Sequence, residues 1–421
     1  MVATPSRIRL HPAWIVAGAA FVALLGAAGF RAAPGVLMVP LQEEFGWSRG
    51  VVSGAVALTL ILYGLTSPFA AALMDRFGIR TVTSAALALV ATGAGLSVLI
   101  TASWQLTLLW GVFIGLGTGS MALVFAATVA NRWFVRRRGL VMGVLSAASA
   151  TGQLIFLPVL AWAAERSGWR AAALVIAAAA LGVIPLVWRF LRNQPSDLGV
   201  TAYGATGDEP PAIVDRSGPG PARRAVEVLA SAARTKTFWA LAGGFAICGA
   251  TTNGLIGTHL IPAAHDHGMP ATTAAGLLAL VGIFDVAGTI ASGVLTDRVN
   301  PRLLLAVYYT LRGVGLLTLP DLLGASVQPT MLVFIVVYGL DWVATVPPTA
   351  ALCREVFGKD GTVVFGWVFA SHQIGAALAS LGAGIIRDAT GDYTAAWLGA
   401  AMLCVVAAIA SIRVRRVPQP A

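Results

Sequence analysis

The sequence predicts an all-α membrane protein, with twelve transmembrane helices arranged as two homologous six-helix bundles. Three observations lead there. The 421 residues are 57% hydrophobic and only 11% charged, whereas soluble domains carry roughly a quarter charged residues; a mean hydropathy of +0.82 makes lipid the solvent. Apolar runs long enough to cross a bilayer recur six times on each side of one polar gap. The second half also echoes the first at a fixed spacing. Only helices and closed barrels satisfy all backbone polar groups in lipid, and apolar runs of about 20 residues are helical.

The first span, 13–40, follows Arg7, Arg9 and His11. From Trp14 it stays apolar for about 25 residues, longer than the core of a signal peptide, so it reads as an uncleaved span. The second, 50–73, stops at Asp75-Arg76, and the third, 81–101, starts after Arg80. The fourth, 104–130, carries Gly111, Gly115 and Gly119, a stripe of small residues along which membrane helices pack closely. The fifth, 139–164, follows the basic loop Arg132, Arg136, Arg137, Arg138, and the sixth, 169–190, ends at Arg189 and Arg192. Residues 191–237 hold Pro195, Pro210, Pro211, Pro219 and Pro221 among Gly and acids, the composition of a flexible linker. Its end, from about Arg223, is helix-compatible and suited to the membrane surface. Six more spans follow: 238–262, 272–296, 302–320, 329–350, 362–386 and 393–412. The expected units are an N-terminal bundle 1–190, a linker 191–237 and a C-terminal bundle 238–421.

Charge placement orients the chain. Most of the 28 Lys and Arg residues fall at the termini, in the linker and in alternate loops, while Arg49, Arg166, Arg170 and Arg387 fall on the other side. The positive-inside rule then puts both termini in the cytoplasm of a multi-pass inner (plasma) membrane protein. The net charge of +10 is thus a topology signal and a contact for anionic lipid, not a nucleic-acid patch. Cys248, Cys353 and Cys404 lie in apolar runs without metal or disulfide spacing. His259, His265 and His267, at or beyond the outer end of helix 7, read as surface residues. No cofactor or metal is expected, and the expected state is a monomer in the bilayer.

The internal repeat is concrete. Asp75-Arg76 and Asp297-Arg298 are 222 residues apart, as are Arg132 and Arg354, and Gly139 and Gly361. Agreement over most of the chain marks two homologous halves, and parallel halves about an axis along the membrane normal are one plan of secondary transporters. The stretch Asp75-Arg76-Phe77-Gly78-Ile79-Arg80, with its partial copy at Gly293, Asp297 and Arg298, resembles the signature loop of the major facilitator superfamily. Within it, Phe45-Gly46-Trp47-Ser48-Arg49, Asn131 to Gly139, and Gln194-Pro195-Ser196-Asp197-Leu198-Gly199 resemble the monocarboxylate transporter and oxalate/formate antiporter group. The resemblance implies the major facilitator fold, with helices 1, 4, 7 and 10 lining a central cavity. It also implies gating by Asp75, Arg76, Arg80, Asp297 and Arg298, an Asp and an Arg pairing across the halves to hold one gate shut. In helix 8, Asp285 matches an Asp-x-x-x-Arg of the eukaryotic carriers, with Thr289 standing where their Arg is.

Charge inside a membrane is expensive and usually marks function or a partner. Arg31, Asp285, Arg312, Asp341 and His372 are such residues. At 1.5 Å per residue, the last four lie roughly 15–20 Å from the cytoplasmic side, near one level. Two readings stay open for them: a proton-coupling cluster of Asp285, Arg312 and Asp341 with His372 as relay, or an Asp–Arg pair that braces helices. Asp341, on helix 10, is expected to line the cavity. Arg31 has no intramembrane acid in its own half, which suits it to a carboxylate substrate through its two-pronged donor geometry; the alternative is snorkelling toward Glu43 and Glu44. Gln153 and Asn253 are mid-span amides that orient a substrate or bond between helices. The expected substrate-binding set is Arg31, Gln153, Asn253, Asp341 and His372. The expected function is secondary active transport of a small organic anion, a carboxylate, by alternating access, with a proton as co-ion. Alternatives are efflux of a neutral or amphipathic molecule, and a membrane-embedded sensor or enzyme. No HExxH, GxSxG or phosphate-binding G-x-x-x-x-G-K-[ST] motif occurs.

Overall fold

The computed structural model describes residues 11–205, 220–296 and 298–414. Twelve long helices run through them: α1 (Pro12–Phe45), α2 (Arg49–Phe77), α3 (Ile79–Leu96), α4 (Ser103–Trp133), α5 (Arg138–Ser167), α6 (Trp169–Phe190), α7 (Lys236–Asp266), α8 (Ala271–Thr296), α9 (Pro301–Leu322), α10 (Pro329–Phe357), α11 (Gly361–Thr390) and α12 (Thr394–Arg413). Among the described residues, eleven are long and apolar enough to cross a membrane. The other, α5, is 30 residues long and stands where the fifth span is expected.

Helix ends follow from local chemistry. Gly46 adopts φ 66° and closes α1 with its N–H on the Gln42 carbonyl, a left-handed stop that glycine adopts without strain. Two residues later the Ser48 hydroxyl accepts from the Val51 N–H and opens α2. Phe45 and Trp47 stack at 4.4 Å over this turn. The stretch Phe45 to Arg49 is therefore a stop, a pivot and a start. Thr235 caps α7 in the same way, and Asn300 caps α9 ahead of Pro301.

Helices α1–α6 form one bundle and α7–α12 the other, the two-bundle arrangement expected from the internal repeat. The gap between them is anchored at both described ends. Tyr203 donates its N–H to the Trp133 carbonyl at 2.8 Å and packs on Trp14 and Phe134. The helix Pro221–Ala232 lies against α11, where the Trp367 indole N–H bonds the Ala225 carbonyl.

The bundles meet along α2 and α11. A β-carbon on Gly64 would stand 2.7 Å from Cβ of Gln373, and one on Gly384 would stand 2.6 Å from Oγ of Ser53. Glycine at these points lets the two helices approach closely.

Three helices lining the interior are irregular. α4 widens into π turns over Thr107–Ile114 and breaks at Met121, α7 widens over Ala250–Ile256, and α10 breaks at 342–345. Such wide turns release backbone groups and recur at functional sites.

Candidate functional site

A cavity of about 760 Å³ lies between the bundles, reached by Leu24, Tyr63, Met121 and Val144 from one half and by Phe245, Asn253, Asp285, Trp342, Phe369, His372 and Gln373 from the other. It extends toward the first turns of α5, Leu140 and Gly143, which follow the basic loop. A blind extension of about 70 Å³ continues in the opposite direction, and Tyr63, Asn253, Trp342 and Gln373 line both spaces. Among the described residues, no Lys or Arg lines either.

The end away from the basic loops is closed by a network across the halves. Arg49 donates from both terminal nitrogens to the Asp266 carboxylate, at 2.7 and 2.5 Å, from one of them to the Tyr393 hydroxyl at 2.8 Å, and from Nε to Gln42. The N–H groups of Arg49 and Gly50, at the open start of α2, donate to the two Asp388 oxygens at 2.9 and 2.7 Å. Arg387 adds a third donor to Asp266. Behind them His259 is fully buried, with Nε2 2.8 Å from the Ser380 carbonyl and Nδ1 3.0 Å from the Tyr393 hydroxyl. A carbonyl only accepts, so Nε2 carries the proton and Nδ1 accepts from Tyr393. Beside this latch, Glu165 at the end of α5 accepts from the Thr272 N–H at the start of α8.

At the basic end, no ion pair among the described residues joins the two bundles; Arg224 of the linker helix pairs with Asp360. Asp75 pairs with Arg132, and Arg302 with Glu355. In this state the pairing across the halves expected of the signature loop is not formed among the described residues; Asp75 reaches Arg132 on α4 of its own bundle. Arg76 is exposed beside Phe77, Arg80 stacks on Trp188, and Arg298 is exposed. Asp297 lies outside the described residues.

The intramembrane ionisable residues divide into two groups instead of one cluster. Arg312, 1% exposed, donates from Nε to Asp341 at 2.7 Å, from one terminal nitrogen to the Asp341 and Trp342 carbonyls, and from the other to Cys248 Sγ and Thr251. Tyr309 and Tyr338 flank it. This pair ties α7, α9 and α10 together behind the cavity wall. Asp341 therefore does not line the cavity, contrary to expectation, because it shares with Tyr338, one turn earlier, the face of α10 that packs on Arg312 of α9; its Oδ1 accepts no hydrogen bond among the described residues. Asp285, in contrast, lines the cavity. Its Oδ1 accepts from the Thr289 hydroxyl and the Val343 N–H, both at 3.0 Å, and no described ion pair holds it. His372 also lines the cavity, between the rings of Phe245 and Phe369 at 4.9 and 5.8 Å.

Arg312→Gln leaves the Asp341 carboxylate buried beside a neutral group. Breaking a buried pair in this way costs about 3–5 kcal/mol. The expected result is a lower unfolding midpoint in detergent, largely recovered when Asp341→Leu is added to Arg312→Met. An unchanged midpoint in the single variant would refute the bracing role.

Asn253 lines the cavity as a polar mid-span group. The side chains of Arg31 and Gln153 lie outside the described residues; in the backbone, Arg31 falls on α1 between Phe30 and Pro34, which line the blind extension. His259 corrects the surface reading, since its partners Ser380 and Tyr393 arrive from the end of the chain. Arg49, Asp266, Asp388 and Gln373 escaped the sequence reading. Arg49 had a signal, its place in the Phe45–Arg49 stretch, whereas Gln373 is neutral and sits beside the more conspicuous His372.

The profile of the Major Facilitator Superfamily matches residues 19–363 and 247–421. Human "Monocarboxylate transporter 11" is 28% identical over 398 residues, covering 91% of this chain and 79% of that protein. Rat "Monocarboxylate transporter 13" is 28% identical over 390 residues, covering 91% and 85%. The Bacillus subtilis "Uncharacterized MFS-type transporter YcxA" is 25% identical, covering 90% of each. A crystal structure of a bacterial homologue of the human lysosomal transporter Spinster, inward-facing and unoccupied, is similar with a TM-score of 0.75 over 98% of this chain and 100% of that one, at 15% identity. That likeness is one of fold.

Proposed function

The chain belongs to the major facilitator superfamily and is a transporter, and from that premise we propose that it moves a small organic anion, a carboxylate, across the inner membrane with a proton as co-ion. The observation that carries this reading is the central cavity, shut at one end by a cross-half latch and holding an acid, Asp285, that forms no ion pair among the described residues. A carboxylate substrate is supported by the names of the relatives. A lone cavity acid suits a coupling site, because a buried carboxylate exchanges its charge for a proton more readily when no cation holds it.

In this reading both termini and the basic loops face the cytoplasm, and the cavity is inward-facing. The Arg49 latch is the outer gate, while the signature-loop residues Asp75, Arg76, Arg80, Asp297 and Arg298 form the inner gate when the halves close there. Arg312 and Asp341 brace the C-terminal bundle, and Asp285 couples the proton with His372 beside it. Arg31 takes the substrate carboxylate, assisted by Asn253 and Gln153.

Uptake into proteoliposomes, with a panel of organic acids and a pH gradient imposed or absent, tests the proposal. A carboxylate whose accumulation rises with an inward proton gradient is the expected result. Transport indifferent to the gradient would remove the coupling, and a panel without a transported acid would remove the substrate class. Arg31→Lys keeps the charge and loses the fork, so substrate affinity should fall by roughly 1–3 kcal/mol. Unchanged affinity would favour the snorkelling alternative.

A further inference from the structure

The cavity joins its blind extension at a junction lined by two amides and two aromatic rings, Asn253, Gln373, Tyr63 and Trp342. Gln373 is only 1% exposed, yet it lines both the main cavity and its blind extension. Its Oε1 has no hydrogen-bond partner among the described residues. A buried amide left unpaired costs about 1–3 kcal/mol, so native proteins rarely leave one without a ligand or water. Gln373 is held in place by Gly64, whose missing side chain leaves room for the glutamine stem. Asn253 lines the same junction. Both amides line this junction, and the Gln373 amide turned about its last bond puts its NH2 group where Oε1 stands, a donor for an anionic group.

The rest of the cavity is unlike a site for a small hydrophilic acid. Tyr63, Phe245, Trp342 and Phe369 present four aromatic rings to it, with Leu24 and Met121. Its 760 Å³ falls in the range of sites that enclose drug-sized ligands, about 300–1,000 Å³. A two- or three-carbon acid would leave most of this apolar volume to water. Aromatic walls return large stabilisation only to a ligand that covers them, and ring pairs add about 0.5–1.5 kcal/mol beyond the area they bury.

We propose that Gln373, with Asn253, anchors the polar head of the substrate at the closed end, and that the substrate is a carboxylate on an aromatic or comparably bulky apolar body. This deepens, and rests on, the reading that the chain carries carboxylates. The head meets the amides beside the part of α1 that carries Arg31, and the body lies along the aromatic walls toward the open end.

The test is equilibrium binding to the full-length protein in nanodiscs, by titration calorimetry with three probes: lactate, 3-phenylpropanoate and 3-phenylpropanamide. The expected result is at least tenfold tighter binding of 3-phenylpropanoate than of lactate. Equal affinities, or tighter lactate, would overturn the bulky-body assignment and leave carboxylate transport intact. The neutral amide binding as tightly as its acid would instead overturn the carboxylate reading while supporting the bulky body. Gln373→Leu should weaken 3-phenylpropanoate at least tenfold with the ligand-free melting temperature held, and Gln373→Asn, which keeps the amide on a shorter stem, should weaken it less. Undiminished affinity in Gln373→Leu would show that water alone occupies the amide, and would overturn the anchoring role.

Discussion

Asp285→Asn should abolish uphill accumulation while leaving exchange of substrate down its own gradient intact. With one proton per substrate, a pH gradient of one unit sustains about a tenfold substrate gradient; in the variant the ratio should fall to about one. The reasoning is geometric. Asp285 lines the cavity and is held by a hydroxyl and one backbone N–H instead of a cation. Asparagine keeps a carbonyl oxygen for both donors, so the helix contact with Val343 survives, and only the exchangeable proton is lost. Counterflow and pH-driven uptake in proteoliposomes separate the two functions. A variant that still concentrates substrate tenfold would clear Asp285 and leave His372 as the next group to examine.

The second large effect lies at the latch. Arg49→Gln removes the two-pronged bond to Asp266 and the bond to Tyr393, leaving Arg387 as the remaining partner of that carboxylate. A fully buried pair broken from one side costs about 3–5 kcal/mol, but the Asp266 side chain keeps 19% of its exposure, so about 2 kcal/mol is the expected loss after screening. That is roughly a 30-fold shift in the balance between closed and open outer gate. Spin labels on the exposed Ser167 and Ser326, at the outer ends of opposite halves, should report a second, longer distance by double electron–electron resonance. A distance distribution identical to that of the unaltered protein would mean that the latch does not hold the gate.

Much of the architecture is legible in the sequence. Twelve apolar runs, the basic loops between them and the paired Asp-Arg motifs follow from the cost of charge and open backbone in lipid, which acts on each segment locally. The span bounds 40 and 50 miss the helix ends, which Gly46 and Ser48 set by capping at Phe45 and Arg49. The site is less legible. Depth in the membrane can be counted along a helix, and it put Asp285, Arg312, Asp341 and His372 near one level. The direction each side chain faces depends on how its helix is rotated against its neighbours, and that rotation puts Asp341 against Arg312 of α9 and Asp285 on the cavity. Contacts such as Arg49 with Asp266, and His259 with Tyr393, join residues 217 and 134 positions apart, and no local pattern announces them.

The glycines along α2 and α11 bear on how fast the molecule works. Where long side chains interlock across a moving contact, each stroke must unseat and reseat rotamers, and that acts as friction. At Gly64 and Gly384 one helix offers bare backbone to its neighbour, so sliding there disturbs no side chain on the glycine's own side. Shear between packed helices proceeds by small sliding steps. The contact then resembles a bearing, with the Gln373 stem seated on Gly64 as its one side-chain engagement at that point. The pace of the stroke is left to the latch at Arg49, and an alanine at position 64 would roughen the bearing without touching the latch.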